Sequence, residues 1–317
     1  MRKTKFLFLS VILALIVVSS CKKEDPVVES EELVSYVESV VDVGSLQSYI
    51  TAQELLTLIN GGNAPYIIDI RSSAAYNDPG HIPGAVNVAA AEILTHVMAN
   101  VGSTSDAIVV VCYSGQSAAF CTSLLKLSGY TNAKSLKFGM TSWNSACDSW
   151  SGNVSTYYAS FLETTSNSKP AEGDLPDINT GFDNGEDILA YRVGQMLTSG
   201  FGTYAIDATM VTDNPSNYYV VNYWPNDQYL NPGHIEGAYN YVPGQSLTLA
   251  TDLKTLPTDK TIVVYCYTGQ TSAFMAAYLG TLGYNVKSLK FGANSMFHGD
   301  LPSSNWSTAN IMDYDFE

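Results

Sequence analysis

Two cysteines lie in the same local context, where a thiol could act as a nucleophile. Cys112 ends an apolar run at 109–111 and Cys266 ends another at 263–265, and a polar loop with one glycine and a helix-like segment follow each. Backbone N–H groups converge at a helix start, so a thiolate there, or an anion bound to its sulfur, is stabilised. A single such cysteine fits a small buried core residue. Its occurrence twice favours the functional interpretation.

Spacing argues against three other cysteine chemistries. A phosphatase loop needs an arginine six residues after the cysteine, but Ala118 and Ser272 occupy those positions. Neither loop has the Cys-x-x-Cys pattern of thioredoxin-like redox sites. The 4 histidines and 5 cysteines show no metal-ligand spacing. We therefore expect no metal and no cofactor.

Length and charge limit the classes of partner. A chain of 317 residues is long enough for about two domains. The formal net charge of −15 argues against nucleic-acid binding, which needs a basic surface. An anionic substrate would have to be attracted locally, by backbone dipoles or by a placed arginine.

The amino-terminal 20 residues have the pattern of a signal peptide. A basic start precedes an apolar run at 6–18 that is too short to span a bilayer comfortably. Residues 18–21 resemble the lipobox of bacterial lipoproteins, which implies cleavage before Cys21 and its acylation. An ordinary secretory signal and an anchoring helix are the alternatives. With residues 22–25, which resemble a surface-lipoprotein export signal, the pattern predicts an exported protein that is lipid-anchored to the outer membrane.

The rest of the chain alternates strand and helix patterns. Thr51 and Glu54 have capping-box spacing at the start of a helix. Residues 66–70 and 108–111 are short apolar runs typical of buried strands, and a helical segment follows at 117–128. The sequence therefore predicts the α/β class, with a mostly parallel β-sheet flanked by helices.

Three motifs recur at a nearly constant distance, which indicates a duplication. Residues 80–85 return at 233–238 and residues 135–139 return at 288–292, each 153 positions later, and the cysteines are 154 positions apart. This period is too long for a solenoid repeat and predicts two tandem domains. The predicted division is a signal peptide at 1–20, a tether at 21–29, domain 1 at 30–163, a linker at 164–185 and domain 2 at 186–317.

The order of the motifs resembles the rhodanese family of sulfurtransferases. The first copy carries Asp69-Ile70-Arg71, then residues 80–85, then the cysteine loop 112–117. The second copy carries residues 233–238 and 266–271 in matching positions. The resemblance implies two tandem rhodanese-like domains.

The resemblance also implies a reaction. In that family the loop cysteine takes sulfur from a donor such as thiosulfate, mercaptopyruvate or a polysulfide, becomes a persulfide, and passes the sulfur to cyanide, a thiol or a protein acceptor. Cys112 and Cys266 are thus the predicted catalytic residues. The anionic outer sulfur needs several donors, which a glycine-containing loop at a helix start supplies. The predicted substrate-binding residues are Arg71, Tyr113, Ser114, Gly115, Gln116, Ser117, Tyr267, Thr268, Gly269, Gln270 and Thr271.

The two copies differ beside the loops. Arg71 matches the family pattern, either as a substrate-binding cation or as an ion-pair partner of the framework, whereas the second copy has Trp224 there. Neither loop contains a lysine or arginine, unlike thiosulfate-specific members of the family. His81 and His234 precede predicted strands, where we expect them to hold the turn rather than act as bases.

Cys121 and Cys147 occur only in the first copy; Met275 and Asp300 replace them in the second. In an exported protein this suggests a disulfide between them, and two unrelated buried thiols are the alternative.

The sequence therefore predicts a sulfurtransferase that acts through cysteine persulfides. The expected partners are a small sulfur donor, a thiol or cyanide acceptor or a protein thiol, and the membrane through the lipid anchor. A non-catalytic binding or sulfur-carrier module with the same fold is the alternative. Cysteines in both loops favour the enzyme, and the absence of loop cations favours the carrier.

Overall fold

The structure is a computed structural model that describes residues 28–317. The predicted signal peptide at 1–20 and the predicted lipidation site Cys21 lie outside the described residues. Within residues 28–317, no helix combines the length and the apolar character needed to cross a bilayer.

The first unit alternates short strands with helices. The capping box forms as predicted: the Thr51 hydroxyl accepts the Glu54 N–H at 3.2 Å, and the Glu54 carboxylate accepts the Thr51 N–H at 2.8 Å. In chain order the elements are α1 (Glu29–Val40), β1 (Tyr49–Ile50), α2 (Ala52–Asn60), β2 (Tyr66–Asp69), α3 (Ser73–Asn77), β3 (Val86–Asn87), α4 (Ile93–Asn100), β4 (Ile108–Val111), α5 (Gln116–Leu127), β5 (Ala133–Leu136) and α6 (Met140–Trp143).

The second unit repeats this order, without a counterpart of α4, after residues 165–184, which contain no helix or strand. Its first helix is kinked at Gly200, whose φ is 68°. In chain order the elements are α7 (Gly185–Thr203), β6 (Ala205–Ile206), α8 (Ala208–Thr212), β7 (Tyr219–Asn222), α9 (Asn226–Leu230), β8 (Tyr239–Asn240), β9 (Ile262–Tyr265), α10 (Gln270–Thr281), β10 (Val286–Leu289) and α11 (Asn294–Phe297).

Each unit contains one parallel sheet of five strands. The strand orders are β1-β5-β4-β2-β3 and β6-β10-β9-β7-β8. β4 and β9 lie in the middle of their sheets and are buried at every position, which explains their continuous apolar sequences. The predicted α/β fold with two tandem parallel sheets is confirmed. Cys112 and Cys266 each follow the carboxyl end of a central strand.

The two units share one hydrophobic core. α5 and α10 pack against each other, and the Ser123 hydroxyl of α5 donates to the Phe274 carbonyl of α10 at 3.1 Å. Eleven of the twelve residues of each helix are buried, because each contacts its own sheet and the other unit. The helices that follow the cysteines are therefore also the centre of the interface.

The segment that follows the first unit packs on the second sheet. The Tyr158 side chain belongs to the core on the outer face of that sheet, and the Tyr158 N–H donates to the Met296 carbonyl at 3.0 Å. Glu163 forms a two-way backbone bridge with His234, at 2.9 Å in both directions. Residues 155–163 therefore complete the second unit.

The final segment makes the reciprocal contacts on the first unit. The Tyr314 N–H donates to the Trp143 carbonyl at 2.9 Å, and Glu317 forms a backbone bridge with His81 at 2.9 and 3.2 Å. We call residues 147–163 and 301–317 the exchanged tails. The predicted boundaries at 30–163 and 186–317 do not follow this packing, because the end of each predicted domain packs on the other unit.

The exchanged tails cross at a cluster of four aromatic residues. The Trp150 and Trp306 rings stack with their centroids 5.3 Å apart. Phe138 and Phe291 meet Trp150 edge-on at 5.1 and 4.9 Å. Because Trp150 is fully buried and its indole N–H donates to the Ser114 carbonyl at 3.1 Å, the crossing also supports the first cysteine loop.

We expect Trp150→Ala to lower the free energy of unfolding by about 3–5 kcal/mol, because it empties a fully enclosed site. Both units should unfold in one transition, since each depends on the other's tail. Urea denaturation followed by circular dichroism and tryptophan fluorescence checks this. Phe161→Ala is the control, because that side chain is 65% exposed and its loss should cost no more than about 0.5 kcal/mol. Two separate transitions in the wild type would contradict the expectation.

Candidate active site

The Cys112 thiol lies at the start of α5 and is held by backbone amides. The N–H groups of Gly115 and Ala118 donate to its sulfur at 3.2 and 3.3 Å. Gly115 has a φ of 86°, a left-handed conformation that lets the loop turn into the helix at little cost. The side chain is only 3% exposed. The predicted placement of a thiol at a strand end and a helix start is therefore observed.

The Cys266 thiol has an equivalent position, where one backbone amide and one hydroxyl contact its sulfur. The Ser272 N–H donates to the sulfur at 3.3 Å, and the Ser272 hydroxyl lies 3.7 Å from it. That hydroxyl also pairs with the Ser288 hydroxyl at 2.8 Å, and Ser288 donates to the Gly269 carbonyl at 3.2 Å. The second site thus has a side-chain hydroxyl beside the sulfur where the first has the methyl group of Ala118.

Burial opposes ionisation of the first thiol. Desolvation raises the pKa of Cys112 above its ordinary value, and the nearby carboxylate of Asp69 adds to this effect. The amides of Ala118, Gly115 and Ser114 act in the opposite direction and lower the pKa, but by less. The amide hydrogen bonds favour the thiolate, as the sequence suggested. Desolvation of the buried sulfur nevertheless raises the pKa by more than these bonds lower it.

Arg71 forms a buried ion pair with Asp69. Its guanidinium donates to the two carboxylate oxygens at 2.7 to 3.1 Å and to the Gly80 carbonyl at 2.8 Å. The side chains of both partners are only 1% exposed. Of the two roles left open by the sequence, the structure favours the ion-pair partner. Through these bonds Arg71 holds the segment after β2 against the turn at Gly80.

The second unit replaces this ion pair with uncharged groups. The Asn222 side chain donates to the Tyr265 hydroxyl at 2.8 Å. The Trp224 ring stacks on the Tyr267 ring, with centroids 4.5 Å apart and an interplanar angle of 9°. The Trp224 indole N–H is buried and has no hydrogen-bond partner among residues 28–317. The surroundings of Cys266 are therefore more apolar than those of Cys112.

The other predicted binding residues fall into three groups: exposed residues, residues that contact neighbouring side chains or loop backbone, and residues that face away from the thiols. Tyr113 is 44% exposed, beside Ser114, and its ring lies 5.8 Å from the Arg71 guanidinium carbon. Tyr267, Thr268 and Thr271 contact protein side chains or loop backbone: the Tyr267 hydroxyl bonds Gln228, Thr268 accepts the Gln270 N–H at 3.4 Å, and Thr271 bonds the Tyr49 hydroxyl at 2.7 Å.

Three further residues of this group face away from the thiols. Ser117 lines a cavity of about 150 Å³ between α5 and the kink of α7. The side chains of Gln116 and Gln270 are buried and bond the opposite unit rather than their own loop's cysteine. The prediction that these two glutamine side chains bind substrate does not fit this orientation.

The two histidines hold turns, as predicted. His81 stacks on Tyr76 at 3.6 Å and His234 stacks on Tyr229 at 3.7 Å. In each pair the ring Nδ1 also bonds the tyrosine's carbonyl, at 3.0 and 2.9 Å. Burial lowers the pKa of His234, which favours its neutral form.

The suggested disulfide between Cys121 and Cys147 is absent, and both are free thiols. Cys121 belongs to the shared core, where burial raises its pKa to about 12. Cys147 packs against the outer core of the first sheet, with its sulfur 3.5 Å from an Arg71 nitrogen. The two sulfurs lie in different cores, so of the two alternatives that the sequence left open the structure fits two unrelated thiols.

A comparison with protein families decides which family this site represents. A family model described as "Rhodanese-like domain" matches residues 51–146 and 211–296. The chain belongs to the rhodanese-like domain family. Both matched ranges include one cysteine loop and the central strand before it.

Several solved structures resemble this rhodanese-like protein at low identity. A thiosulfate sulfurtransferase from Pseudomonas aeruginosa is 18% identical, with 89% of this chain and 49% of that chain covered and a TM-score of 0.32. CoADR-RHD of Bacillus anthracis is 20% identical, with coverages of 30% and 16% and a TM-score of 0.26. A rhodanese-like domain protein from Staphylococcus aureus is 22% identical, with coverages of 30% and 89% and a TM-score of 0.27.

The chain therefore spans less than two thirds of the length of the Pseudomonas and Bacillus proteins. Among curated proteins the search found no match.

Sequence reasoning missed the role of Ser272 in this rhodanese-like pair. The signal was available, because Ser272 and Ala118 occupy equivalent positions six residues after the two cysteines. We compared these positions only with the arginine of a phosphatase loop, and the contact with the thiol needed the helix geometry.

We expect Ala118→Ser to lower the pKa of Cys112, because the hydrogen of the new hydroxyl can turn towards the thiolate and add a donor to that of the amide. Ser135 stands where Ser288 stands in the second unit and is also buried, so the serine pair can be rebuilt. The pH dependence of iodoacetamide labelling of the Cys112 peptide measures the shift. Ala118→Gly, which adds no hydroxyl, is the control. An equal shift in both variants would contradict the expected role of the hydroxyl.

Proposed function

We propose that the protein is a sulfurtransferase that moves sulfane sulfur through persulfides on Cys112 and Cys266. The observation that carries the proposal is the position of both thiols: each follows a central strand, and amides at the following helix start, two for Cys112 and one for Cys266, donate to its sulfur at 3.2 to 3.3 Å. Family membership supports the same assignment. The proposed partners are a small sulfur donor and a thiophilic acceptor.

The proposed reaction has two displacement steps. In the first, the cysteine thiolate attacks the outer sulfur of thiosulfate, the S–S bond of the donor breaks, and sulfite leaves with the bonding electron pair. The product is Cys–S–S⁻, whose negative charge lies on the outer sulfur near the backbone donors. In the second, an acceptor such as cyanide attacks that sulfur, thiocyanate leaves, and the thiolate is regenerated. Charge balances in both steps.

The charge distribution favours a donor that needs little cationic binding. Neither loop contains a lysine or arginine, and the Arg71 guanidinium is engaged by Asp69 and Gly80. A donor with a small or delocalised charge, such as mercaptopyruvate or a polysulfide, therefore fits better than the thiosulfate dianion. The acceptor is a small thiol, cyanide or a protein thiol.

A sulfur-carrier or binding module is the second candidate. The thiols of Cys112 and Cys266 are only 3% and 1% exposed, and a closed site suits storage of a persulfide better than rapid turnover. In this case the protein would accept sulfur once and release it only to a specific partner that opens the loop.

Mass spectrometry and turnover measurements distinguish the two candidates. Incubation with each donor should add about 32 Da to the peptides of Cys112 and Cys266. In turnover with cyanide, the Cys112→Ser/Cys266→Ser double variant should be slower than wild type by a factor on the order of a thousand or more. Cys121→Ala, which removes a thiol outside both loops, should turn over like wild type. An adduct without turnover would favour the carrier, and no adduct on either loop would refute both persulfide roles.

We also propose that Cys21 is lipidated and anchors the protein to the bacterial outer membrane. The lipobox-like residues 18–21 after an apolar run support this. In a bacterial host, a labelled fatty acid should be incorporated into the wild type, and Cys21→Ser should lose the label. Cys147→Ser is the control for a thiol elsewhere in the chain. Equal labelling of wild type and Cys21→Ser would contradict the proposed anchor.

A further inference from the structure

Two buried glutamines cross from one cysteine loop to the opposite unit. Gln116 begins α5, and its side-chain oxygen accepts the Phe291 N–H at 2.9 Å. Gln270 begins α10, and its side-chain oxygen accepts the Phe138 N–H at 2.9 Å. Their side chains are only 3% and 0% exposed. The contacts are reciprocal, so each cysteine loop supplies an acceptor to the other unit.

The residues that receive these contacts are held in an unfavourable backbone conformation. Phe138 and Phe291 have φ values of 62° and 58°. A non-glycine residue with such a φ stores strain and persists only where its surroundings hold it. Within residues 28–317, the only side-chain oxygens that accept these two N–H groups are those of Gln270 and Gln116.

Each strained phenylalanine belongs to a turn that forms the wall of a cysteine loop. Directly after Phe138, the Met140 N–H donates to the Cys112 carbonyl at 2.8 Å. In the second unit the Ala293 N–H donates to the Cys266 carbonyl at 2.9 Å. The turn and the loop are so close that a Cβ on Gly139 would lie 2.6 Å from the Gly115 nitrogen. A shift of the turn would therefore move the loop.

We propose that Gln116 and Gln270 are positioning residues that act across the interface: Gln270 holds the Cys112 loop and Gln116 holds the Cys266 loop. The contact path is short in both directions. From Gln270 it passes through the Phe138 N–H and the following turn to the Cys112 carbonyl. The role is additional to the proposed sulfur transfer and does not depend on it.

The two glutamines are not equivalent, which makes Gln270 the better residue to change. The Gln116 amide nitrogen donates to the Ser114 hydroxyl of its own loop at 3.0 Å. In the described part of the chain, the buried Gln270 amide nitrogen has no hydrogen-bond partner. Gln270→Met therefore removes one acceptor contact across the interface and leaves no side-chain donor unpaired in its own loop.

The test measures iodoacetamide labelling of the Cys112 and Cys266 peptides over a range of pH in the full chain. We expect Gln270→Met to raise the labelling rate of Cys112 about fivefold, because one hydrogen bond that keeps the loop closed is lost, and to change Cys266 much less. Gln116→Met should show the opposite pattern. Gln195→Met is the matched control, because that side chain is exposed on α7 and bonds Arg192 and Tyr191 of the same helix.

A conservative variant separates positioning from general loosening. Gln270→Glu keeps an oxygen acceptor for the Phe138 N–H and should restore slow labelling of Cys112. If Gln270→Met fails to fold, as judged by circular dichroism, Gln270→Asn replaces it, since its shorter side chain cannot reach Phe138. Equal changes in the labelling rates of both cysteines would overturn the proposal. A change in Gln270→Met at Cys266 alone, the cysteine of its own loop, would also overturn it. The labelling needs no sulfur donor, so its outcome does not depend on whether the protein transfers sulfur. A negative result in the turnover experiment would therefore leave this test intact.

Discussion

The contact between a strand-end sulfur and the first amides of a helix is the constraint on which both units depend. For the Ala118 N–H to reach Cys112, the chain must turn from strand to helix within a few residues, and Gly115 supplies the required left-handed conformation. α5 must then be fixed along its length. Burial of eleven of its twelve residues between its own sheet and α10 achieves this. The site and the interface between the units are therefore built from the same helix.

This sharing explains why the two units are not independent. Trp150 in one exchanged tail supports the Ser114 carbonyl, and the tail then continues to the opposite sheet. Gln270 reaches back in the other direction, to the wall of the Cys112 loop. Each loop is thus supported from its own helix and from the other unit. The closed state of the thiols follows from this support, and desolvation of Cys112, which raises its pKa, is the electrostatic consequence.

Local sequence patterns predicted the strands and helices well, but not which unit each segment packs against. The strand β4 has the predicted bounds, and the helix after it begins one residue earlier than expected. Apolar runs and loop glycines are local signals, so they identify a strand end whatever surrounds it. The exchanged tails could not be predicted in this way, because the two sheets have nearly the same sequence motifs and a local pattern does not say which sheet a tail packs on. The direction of Gln116 and the separation of Cys121 from Cys147 likewise depend on the interface.

The replacement of Arg71 by Trp224 in the second unit is explained by a second replacement, of Asp69 by Asn222. Asp69 and Arg71 neutralise each other in a site where an isolated charge would be costly. Replacement of the arginine alone would leave a buried carboxylate near the thiol, which would further oppose thiolate formation. The second unit has Asn222 in place of the aspartate, and this amide bonds Tyr265 without any charge. Both sites thus avoid an unpaired charge, but by opposite means, and the result is a polar frame around Cys112 and an aromatic one around Cys266.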